Sequence, residues 1–134
     1  MPNNSSSILH IAGRHVSEGT YDEFKSAGFS LHYWPVYEAV PVKQLPPEAL
    51  KFIAIEKTNV ILVFSGRTAQ TLCHLLREAK LETSCKNHIA IGLSEPITNN
   101  LKTIPWKLCI SSSHPTEQSM INRLVETIPA REVS

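Results

Sequence analysis

The chain has 134 residues, 42% of them hydrophobic and 19% charged, a composition that suits one globular domain with a substantial core. The formal net charge is +1 and there is no basic stripe, which argues against a nucleic-acid partner, because phosphate binding needs clustered Lys and Arg side chains. No apolar run approaches the length of a membrane span, so the sequence predicts no membrane-embedded segment.

The chain opens on a polar segment, a short strand and a helix. Segment 1–7 lacks the charged head and apolar stretch of a signal peptide, so we expect a disordered lead-in. The apolar run Ile8–Ala12 predicts a buried strand. Ser17 can cap a helix that runs to about Ala27 and stops at Gly28, because glycine suits helix ends. The predicted inner face of this helix comprises Tyr21, Phe24 and Ala27.

The second strand and the second helix are marked by prolines. Residues 29–40 are rich in aromatic and β-branched side chains, which predicts a strand. Pro35 interrupts this run and predicts an edge position or a bulge, and Pro41 ends it. Pro46 and Pro47 then open a helix, since proline suits the first helical turn. The predicted apolar face of this helix comprises Leu50, Ile53 and Ala54.

The clearest strand is residues 60–64, which are five consecutive apolar residues. Such a run predicts cover on both faces, as in a parallel sheet. The tight turn 65–68 follows, and the apolar spacing predicts a helix over about residues 68–79. The predicted inner face of this helix comprises Leu72, Cys73, Leu76 and Ala79.

Two further strands and two helices complete the chain. Residues 88–91, closed by Gly92, predict a strand, and residues 94–96 can start a short helix. Residues 107–110 predict a fifth strand, and residues 114–117 begin the last helix. The apolar positions of that helix follow an i, i+3, i+4, i+7 pattern and comprise Ile121, Leu124, Val125 and Ile128.

The alternation of strands and helices predicts an α/β fold. About five parallel strands with helices on both faces suit a flavodoxin-like sheet, in which ligands bind beyond the carboxyl ends of the strands. The phosphate-loop motif GxxxxGK[ST], the dinucleotide motif GxGxxG and the nucleophile elbow GxSxG are all missing. A receiver domain needs an acidic pair near its first strand, and residues 8–14 contain no acid.

Neither the cysteines nor the histidines suggest a metal site. The cysteines are odd in number and fit no zinc or redox spacing, so we expect free thiols in a reducing cytoplasm. The histidines are scattered, with no HxH or HxxxH pair, and we expect isolated structural or surface residues. These residues are Cys73, Cys85, Cys109, His10, His15, His32, His74, His88 and His114.

The segments that follow the predicted strands supply the candidate site. Helix starts present free N–H groups and partial positive charge, so a polycarboxylate or phosphate ligand fits. Arg14 and Arg67 can pair with carboxylates, and Tyr37 can donate a proton. An alternative stays open for each of these residues. The Ser, Thr and Gly residues can be ordinary helix caps and turns, Arg14 and Arg67 solvated surface arginines, and Tyr37 a half-buried strand residue. The candidate ligand-binding residues are Gly13, Arg14, Ser65, Gly66, Arg67, Thr68, Gly92 and Ser94.

Several short motifs follow one another in a characteristic order. They are Ala12-Gly13-Arg14, Gly28, Val36-Tyr37-Glu38-Ala39-Val40-Pro41, Val63-Phe64-Ser65, Ala90-Ile91-Gly92 and His114-Pro115-Thr116. No single motif is specific, but the set in this order and spacing resembles the C-terminal half of the uroporphyrinogen-III synthase family. The resemblance covers about residues 8–128.

The resemblance implies a cytoplasmic lyase without a cofactor, which acts on the linear tetrapyrrole hydroxymethylbilane for heme biosynthesis. Water leaves, the last pyrrole ring is inverted through a spiro intermediate, and the macrocycle closes. Backbone amides and short hydroxyls would bind the carboxylates of the substrate. Tyr37 corresponds to the tyrosine considered to assist hydroxyl departure, Ser65 to the Phe-Ser serine, and segment 93–95 to the helix start after Ile-Gly.

Two departures from the family pattern bear on the site. Many members have Thr-Thr or Ala-Thr where this chain has Ser94 and Glu95. A carboxylate there would repel a polyanionic substrate unless Glu95 points away or caps its helix. Family members also have two flavodoxin-like domains with the site in the cleft between them, whereas this chain resembles the C-terminal half alone.

The resemblance also implies a division of the chain. Residues 8–40 form a strand–helix–strand unit, 41–58 a hinge and helix, and 59–134 the main α/β part. Either the first unit folds back and completes a five-stranded domain, or two chains exchange it and imitate the two-domain enzyme. The expected partner is therefore the N-terminal half or a second copy, and the half alone should be weakly active or inactive. The alternative function is a non-catalytic flavodoxin-like binding or interaction module.

Overall fold

The fold is organised around one parallel sheet of five strands. The computed structural model describes residues 8–12, 18–29, 31–35, 47–54 and 58–128. The strand order is β2-β1-β3-β4-β5, and every neighbouring pair is parallel. This order is that of flavodoxin-like sheets and confirms the predicted fold class. The strands are β1 Ile8–Ala12, β2 Leu31–Pro35, β3 Val60–Val63, β4 Ile89–Gly92 and β5 Leu108–Ser111.

Helices cover both faces of the sheet. One core cluster joins alternate β1 and β3 residues to α2, α3 and α4, and the other joins the intervening residues to α1 and α5. None of the helices within the described residues is both long and apolar enough to cross a membrane. The helices are α1 Glu18–Ser26, α2 Pro47–Ala54, α3 Gly66–Glu78, α4 Glu95–Leu101 and α5 Glu117–Thr127, with a short 3-10 turn at Ser84–Asn87.

Strand β3 lies at the centre of the sheet and carries no polar residue. All four of its side chains are fully buried. Because successive side chains of a strand point to opposite faces, Ile61 and Val63 enter the core beneath α3, and Val60 and Leu62 enter the core beneath α5. The prediction of a strand covered on both faces is therefore confirmed.

Several residues predicted for helix inner faces are exposed instead. Ala27 and Ala79 each lie just beyond the last residue of a helix, and Ala54 is the last residue of α2. All three alanines are exposed to solvent. Val125 is 56% exposed because α5 is centred on Met120 and Leu124, which places Val125 at the rim of the buried stripe. The side chain of Tyr21 lies outside the described residues.

The first strand–helix–strand unit completes the sheet of its own chain. Strand β1 pairs with both β2 and β3, which leaves β2 as an edge strand. The edge position predicted from Pro35 is confirmed, since Pro35 is the last residue of β2 and stands opposite Ala12. The predicted continuation to residue 40 and the lead-in 1–7 lie outside the described residues. Exchange of this unit between two chains stays a prediction.

A buried histidine connects three elements at the amino end of the sheet. His88 Nδ1 accepts a hydrogen bond from the backbone N–H of Asn59 at 3.1 Å, and Nε2 donates to the carbonyl of Ile53 at 2.8 Å. This pairing assigns the proton to Nε2 in the neutral ring. Burial lowers the pKa of His88. The residue is therefore structural, as predicted for isolated histidines.

Candidate functional site

The carboxyl ends of β3, β4 and β5 lie side by side. Val63 stands opposite Gly92, and Gly92 stands opposite Ser111. The hydrogen-bonded ladder continues past the strands, because Leu93 N–H donates to the Val63 carbonyl and Ser112 N–H donates to the Gly92 carbonyl, each at 3.0 Å. We call the three segments that follow these strands, residues 64–68, 93–95 and 112–114, the carboxyl edge.

The β3–α3 segment borders the point where the connections change face. The helix after β1 packs on one face of the sheet, and the helix after β3 packs on the other. Ligands of doubly wound sheets bind in the crevice that opens between two such strands. Gly13 and Arg14, which follow β1 in the sequence, lie outside the described residues. The described side is residues 65–68.

Ser65 and Thr68 together build the start of α3. Ser65 is the N-cap, and its Oγ accepts a hydrogen bond from the Thr68 N–H at 3.1 Å. The same Oγ donates to Thr68 Oγ1 at 2.9 Å, and Thr68 is buried. Both hydroxyls therefore hold the helix start, as the capping interpretation predicts. Ser65 itself remains exposed at the carboxyl edge.

The first turn of α3 contains an arginine and no acidic residue of its own. The helix has 13 residues and no acidic residue in its first turn, so the partial positive charge of its N-terminus is not offset there. Arg67 is exposed in that turn. A Cβ on Gly66 would lie 3.4 Å from the side chain of Asn100, which is an ordinary contact. The absence of a side chain at Gly66 therefore opens the surface rather than relieving a clash.

Gly92 has a packing function that its sequence neighbours do not reveal. A Cβ there would lie 2.5 Å from Thr98 Oγ1 and 3.0 Å from the Thr98 backbone nitrogen. Thr98 is buried, and its hydroxyl donates to the Ser94 carbonyl at 3.0 Å. The glycine thus lets α4 sit directly on the end of β4. Ligand binding by Gly92 stays a prediction, and Thr98 fills the space that a side chain would take.

The β4–α4 segment is built differently from the β3–α3 segment. Ser94 has the extended backbone of an N-cap, but its side chain makes no capping hydrogen bond. The hydroxyl of this half-buried serine is therefore not used by its own helix. Glu95 is exposed in the first turn and places negative charge at the edge.

The β5–α5 segment is fastened to its neighbour. Ser112 Oγ lies 2.7 Å from the carbonyl oxygens of both Leu93 and His114. His114 N–H donates to Ser119 Oγ at 2.9 Å, and Thr116 caps α5 by accepting from the Ser119 N–H at 3.1 Å. These bonds connect the last two segments of the carboxyl edge into one wall.

Arg123 reaches the carboxyl edge from within α5. Its Nε–H donates to the Ser111 carbonyl at 3.0 Å, and one terminal N–H group donates to Glu126 at 3.0 Å. The side chain lines a cavity of about 320 Å³ together with Ser94, Glu95 and residues 111–115. It also lines an adjoining surface cavity of about 430 Å³ along α5. Sequence reasoning missed Arg123 because it lies mid-helix, twelve residues after the strand that it contacts.

His10 lies in β1 beside the β3–α3 segment. It is 1% exposed, and its ring centroid is 4.6 Å from that of Phe64. Burial lowers the pKa of His10 to about 4, although the nearby charge of Glu117 opposes this shift. A hydrogen bond with the same Glu117 raises the pKa of Glu23 on α1. His10 is therefore neutral near pH 7 and does not contribute a positive charge to the site.

The described residues offer no metal centre and no activated thiol. They contain no group of three His, Cys, Asp or Glu side chains that could hold a metal ion. Burial raises the pKa of Cys85 to about 12 and of Cys109 to about 11. The three cysteines are free thiols, and these two stay protonated at neutral pH. Cys73 and Cys85 lie within the core, and the half-buried Cys109 packs against it.

The predicted site residues that the structure describes come together. Six of the predicted residues lie at the ends of β3 and β4, namely Ser65, Gly66, Arg67, Thr68, Gly92 and Ser94. Gly13, Arg14 and Tyr37 lie outside the described residues, so their roles stay predictions. The carboxyl edge therefore presents backbone N–H groups, short hydroxyls and two arginines, a set that suits a ligand with several carboxylates.

Comparison with known proteins assigns the family. The family model described as "Uroporphyrinogen-III synthase HemD" matches residues 1–122. Searches of the curated proteins and of the solved structures found no match. The match spans most of the chain, including all five strands and the first turn of α5. The motif order, the five-stranded fold and this match agree, and the chain belongs to the uroporphyrinogen-III synthase family.

Proposed function

We propose that this chain acts as a uroporphyrinogen-III synthase, cyclising hydroxymethylbilane to uroporphyrinogen III with inversion of the last pyrrole ring. The family match carries the proposal. The β3–α3 segment supports it, because its first turn combines an exposed arginine with the absence of acid. A substrate with many carboxylates is stabilised by such a surface.

The reaction needs little from the protein besides binding and one proton donor. Departure of the substrate hydroxyl as water requires an acid, and the proposal gives this role to the phenol of Tyr37. Ring inversion then requires that the carboxylates be held while the terminal ring turns. Gly13, Arg14 and the described residues of the carboxyl edge take that role. The proposal needs no cofactor and places the enzyme in the cytoplasm, where its thiols stay reduced.

The decisive assay measures the isomer produced. Hydroxymethylbilane is generated in place from porphobilinogen by its synthase, the chain is added, and the oxidised products are separated into uroporphyrin I and III. Spontaneous closure gives type I, so the proposal expects an excess of type III. Production of type I alone at every protein concentration would refute synthase activity of this chain.

The same assay tests whether a second wall completes the site. We expect low specific activity at high dilution, because the family site lies between two domains. If a second copy supplies the other wall, specific activity rises with protein concentration and light scattering finds a dimer. A clean monomer removes the exchange of residues 8–40 between chains.

Tyr37→Phe tests the proton donor. The phenol is lost while the ring is kept, so we expect kcat to fall by ~10²-fold or more, the typical range for general acid catalysis. Tyr21→Phe on α1 is the matched control and should leave kcat unchanged. Unchanged turnover of Tyr37→Phe would demote Tyr37 to a packing residue.

A non-catalytic binding module is the alternative function. Two observations favour it. All five strands of the sheet come from one chain, and the Ser65 hydroxyl is hydrogen-bonded to the hydroxyl and the N–H group of Thr68. A protein that kept only the fold would show both features. Binding of uroporphyrin III without any production of the type III isomer would support this alternative over the synthase.

A further inference from the structure

We infer that Arg123 binds one carboxylate of the tetrapyrrole at the β4–β5 end of the carboxyl edge. This inference rests on the proposed function and adds a residue that neither the family match nor the strand-end rule assigns. The side chain belongs to α5, yet it turns back to the end of β5 and lines the 320 Å³ cavity formed by the last two segments.

The guanidinium is held in place before any ligand arrives. Its Nε–H bond to the Ser111 carbonyl fixes one edge of the planar group against the sheet. Ser112 in turn joins this strand end to Leu93 through its hydroxyl. A preorganised arginine loses less conformational freedom on binding than a mobile one, so more of the interaction is retained as affinity.

The guanidinium also has donors to spare. Arginine carries five N–H donors, and the described residues account for the one on Nε and one on a terminal nitrogen. The partner of the terminal nitrogen, Glu126, is 64% exposed on the next turn, and exposed pairs of this kind hold each other weakly. A ligand carboxylate can therefore replace Glu126 and accept two parallel hydrogen bonds from the fork.

The surrounding charges explain why an arginine is needed here. Glu95 lines the same cavity and would repel a carboxylate, whereas the start of α3 has no such acid. Arg123 offsets this charge, and the half-buried Ser94, whose hydroxyl does not cap α4, adds a second donor within the cavity. The volume of the cavity lies at the lower end of small-molecule sites, which suits one substituted pyrrole ring rather than the whole substrate.

The test uses the whole chain and the stable octacarboxylate uroporphyrin III, with affinity followed by fluorescence titration. Arg123→Gln should weaken binding about tenfold or more, the loss expected for a charge-assisted hydrogen-bonded pair. The dependence of affinity on salt should also become shallower, because one fewer charge contacts the ligand. Lys86→Gln removes the same charge at the amino end of the sheet and should leave the affinity unchanged.

The outcomes separate this inference from the proposed function. Production of type I alone by the unmodified chain refutes the proposed function, whereas production of type III without any binding of uroporphyrin III overturns the inference about Arg123. Binding that Arg123→Gln leaves intact, at an unchanged melting temperature, overturns the role of Arg123 alone. If Arg123→Gln fails to fold, Arg123→Lys and Glu95→Gln decide: the inference expects the lysine variant to bind more weakly and the glutamine variant more tightly, and it fails if neither changes the affinity.

Discussion

The starts of α3 and α4 stand next to each other on the carboxyl edge and use serine in opposite ways. The Ser65 hydroxyl caps α3, whose first turn contains Arg67 and no acidic residue. Ser94 adopts the capping backbone without the capping bond and is followed by Glu95. The start of α3 is capped by its own serine and carries an arginine in its first turn. The start of α4 leaves the Ser94 hydroxyl without a capping bond, and its positive charge comes from Arg123 on α5. Adjacent segments of one edge can therefore bind different parts of a ligand.

The largest expected effect is a loss of folding stability in acid, caused by protonation of His10 beside the β3–α3 segment. The folded-state pKa of about 4 lies below the unfolded value of 6.5, so the unfolded chain binds more protons between these values. The contribution of His10 to the free energy of unfolding is fully present above pH 6.5, and roughly 3 kcal/mol is lost as the pH falls from 6.5 to about 4. His88, whose pKa is also lowered, adds to the loss in the same direction.

Urea unfolding at several pH values measures this loss. His10→Leu should flatten the pH dependence, because the leucine cannot be protonated and its volume is similar. His10 contacts Phe64, which directly precedes the Ser65 cap of the Thr68 amide. Hydrogen exchange at the Thr68 amide should therefore become faster in acid. An unchanged slope in His10→Leu would mean that other groups cause the acid loss.

Gly92 at the end of β4 and Gly66 in the carboxyl edge should differ by about 2 kcal/mol in the free energy of unfolding lost when each is replaced by alanine. Gly92→Ala forces a Cβ against the Thr98 hydroxyl and backbone, and overpacking of this kind costs about 1–3 kcal/mol. Gly66→Ala meets only the Asn100 side chain at contact distance and should change the free energy of unfolding by less than about 0.5 kcal/mol. Equal losses in urea unfolding would contradict the packing function of Gly92.

The two serines should separate stability from binding. Ser65→Ala removes a working cap and should lower the free energy of unfolding by about 1 kcal/mol. Ser94→Ala removes no capping bond, so its unfolding should be nearly unchanged while uroporphyrin III binds more weakly. The contrast between the two helix starts is wrong if Ser94→Ala proves the more destabilising variant.

The smallest effects should be on KM, which should change in opposite directions when each of two exposed charges is removed. Arg67→Gln removes an attractive charge and should raise KM a few-fold, whereas Glu95→Gln removes a repulsive charge and should lower it by a similar factor. Exposed charges contribute about 1 kcal/mol or less each, which limits both changes. A rise in KM for Glu95→Gln would instead show that Glu95 accepts hydrogen bonds from the pyrrole N–H groups.

Local patterns predicted the framework of the molecule well. The apolar run before Ser65 specified a central strand, and the positive φ of +97° at Gly28 matches its predicted role after the first helix. The rule that ligands meet the carboxyl ends of parallel strands placed Ser65 to Thr68, Gly92 and Ser94 in one region. These features depend on spacing along the chain, which the sequence displays directly.

Features that depend on contacts between distant residues escaped prediction. Nothing near Gly92 in the sequence announces that Thr98 will fill the space above it, and nothing near Arg123 points to the Ser111 carbonyl. The burial of His10 follows from its place in a central strand rather than from its neighbours. The apolar spacing of α5 included Val125 because spacing alone does not fix how the helix is rotated on the sheet.

The hydrogen-bonded ladder that runs on past β3, β4 and β5 has an evolutionary consequence. The main chain at Leu93 and Ser112 is held by the carbonyls of Val63 and Gly92, so its course there does not depend on which side chains are present. Substitutions can accumulate along the edge while the peptide groups that face a ligand keep their positions. A ligand that is bound mainly through peptide groups would still meet the same geometry after such substitutions.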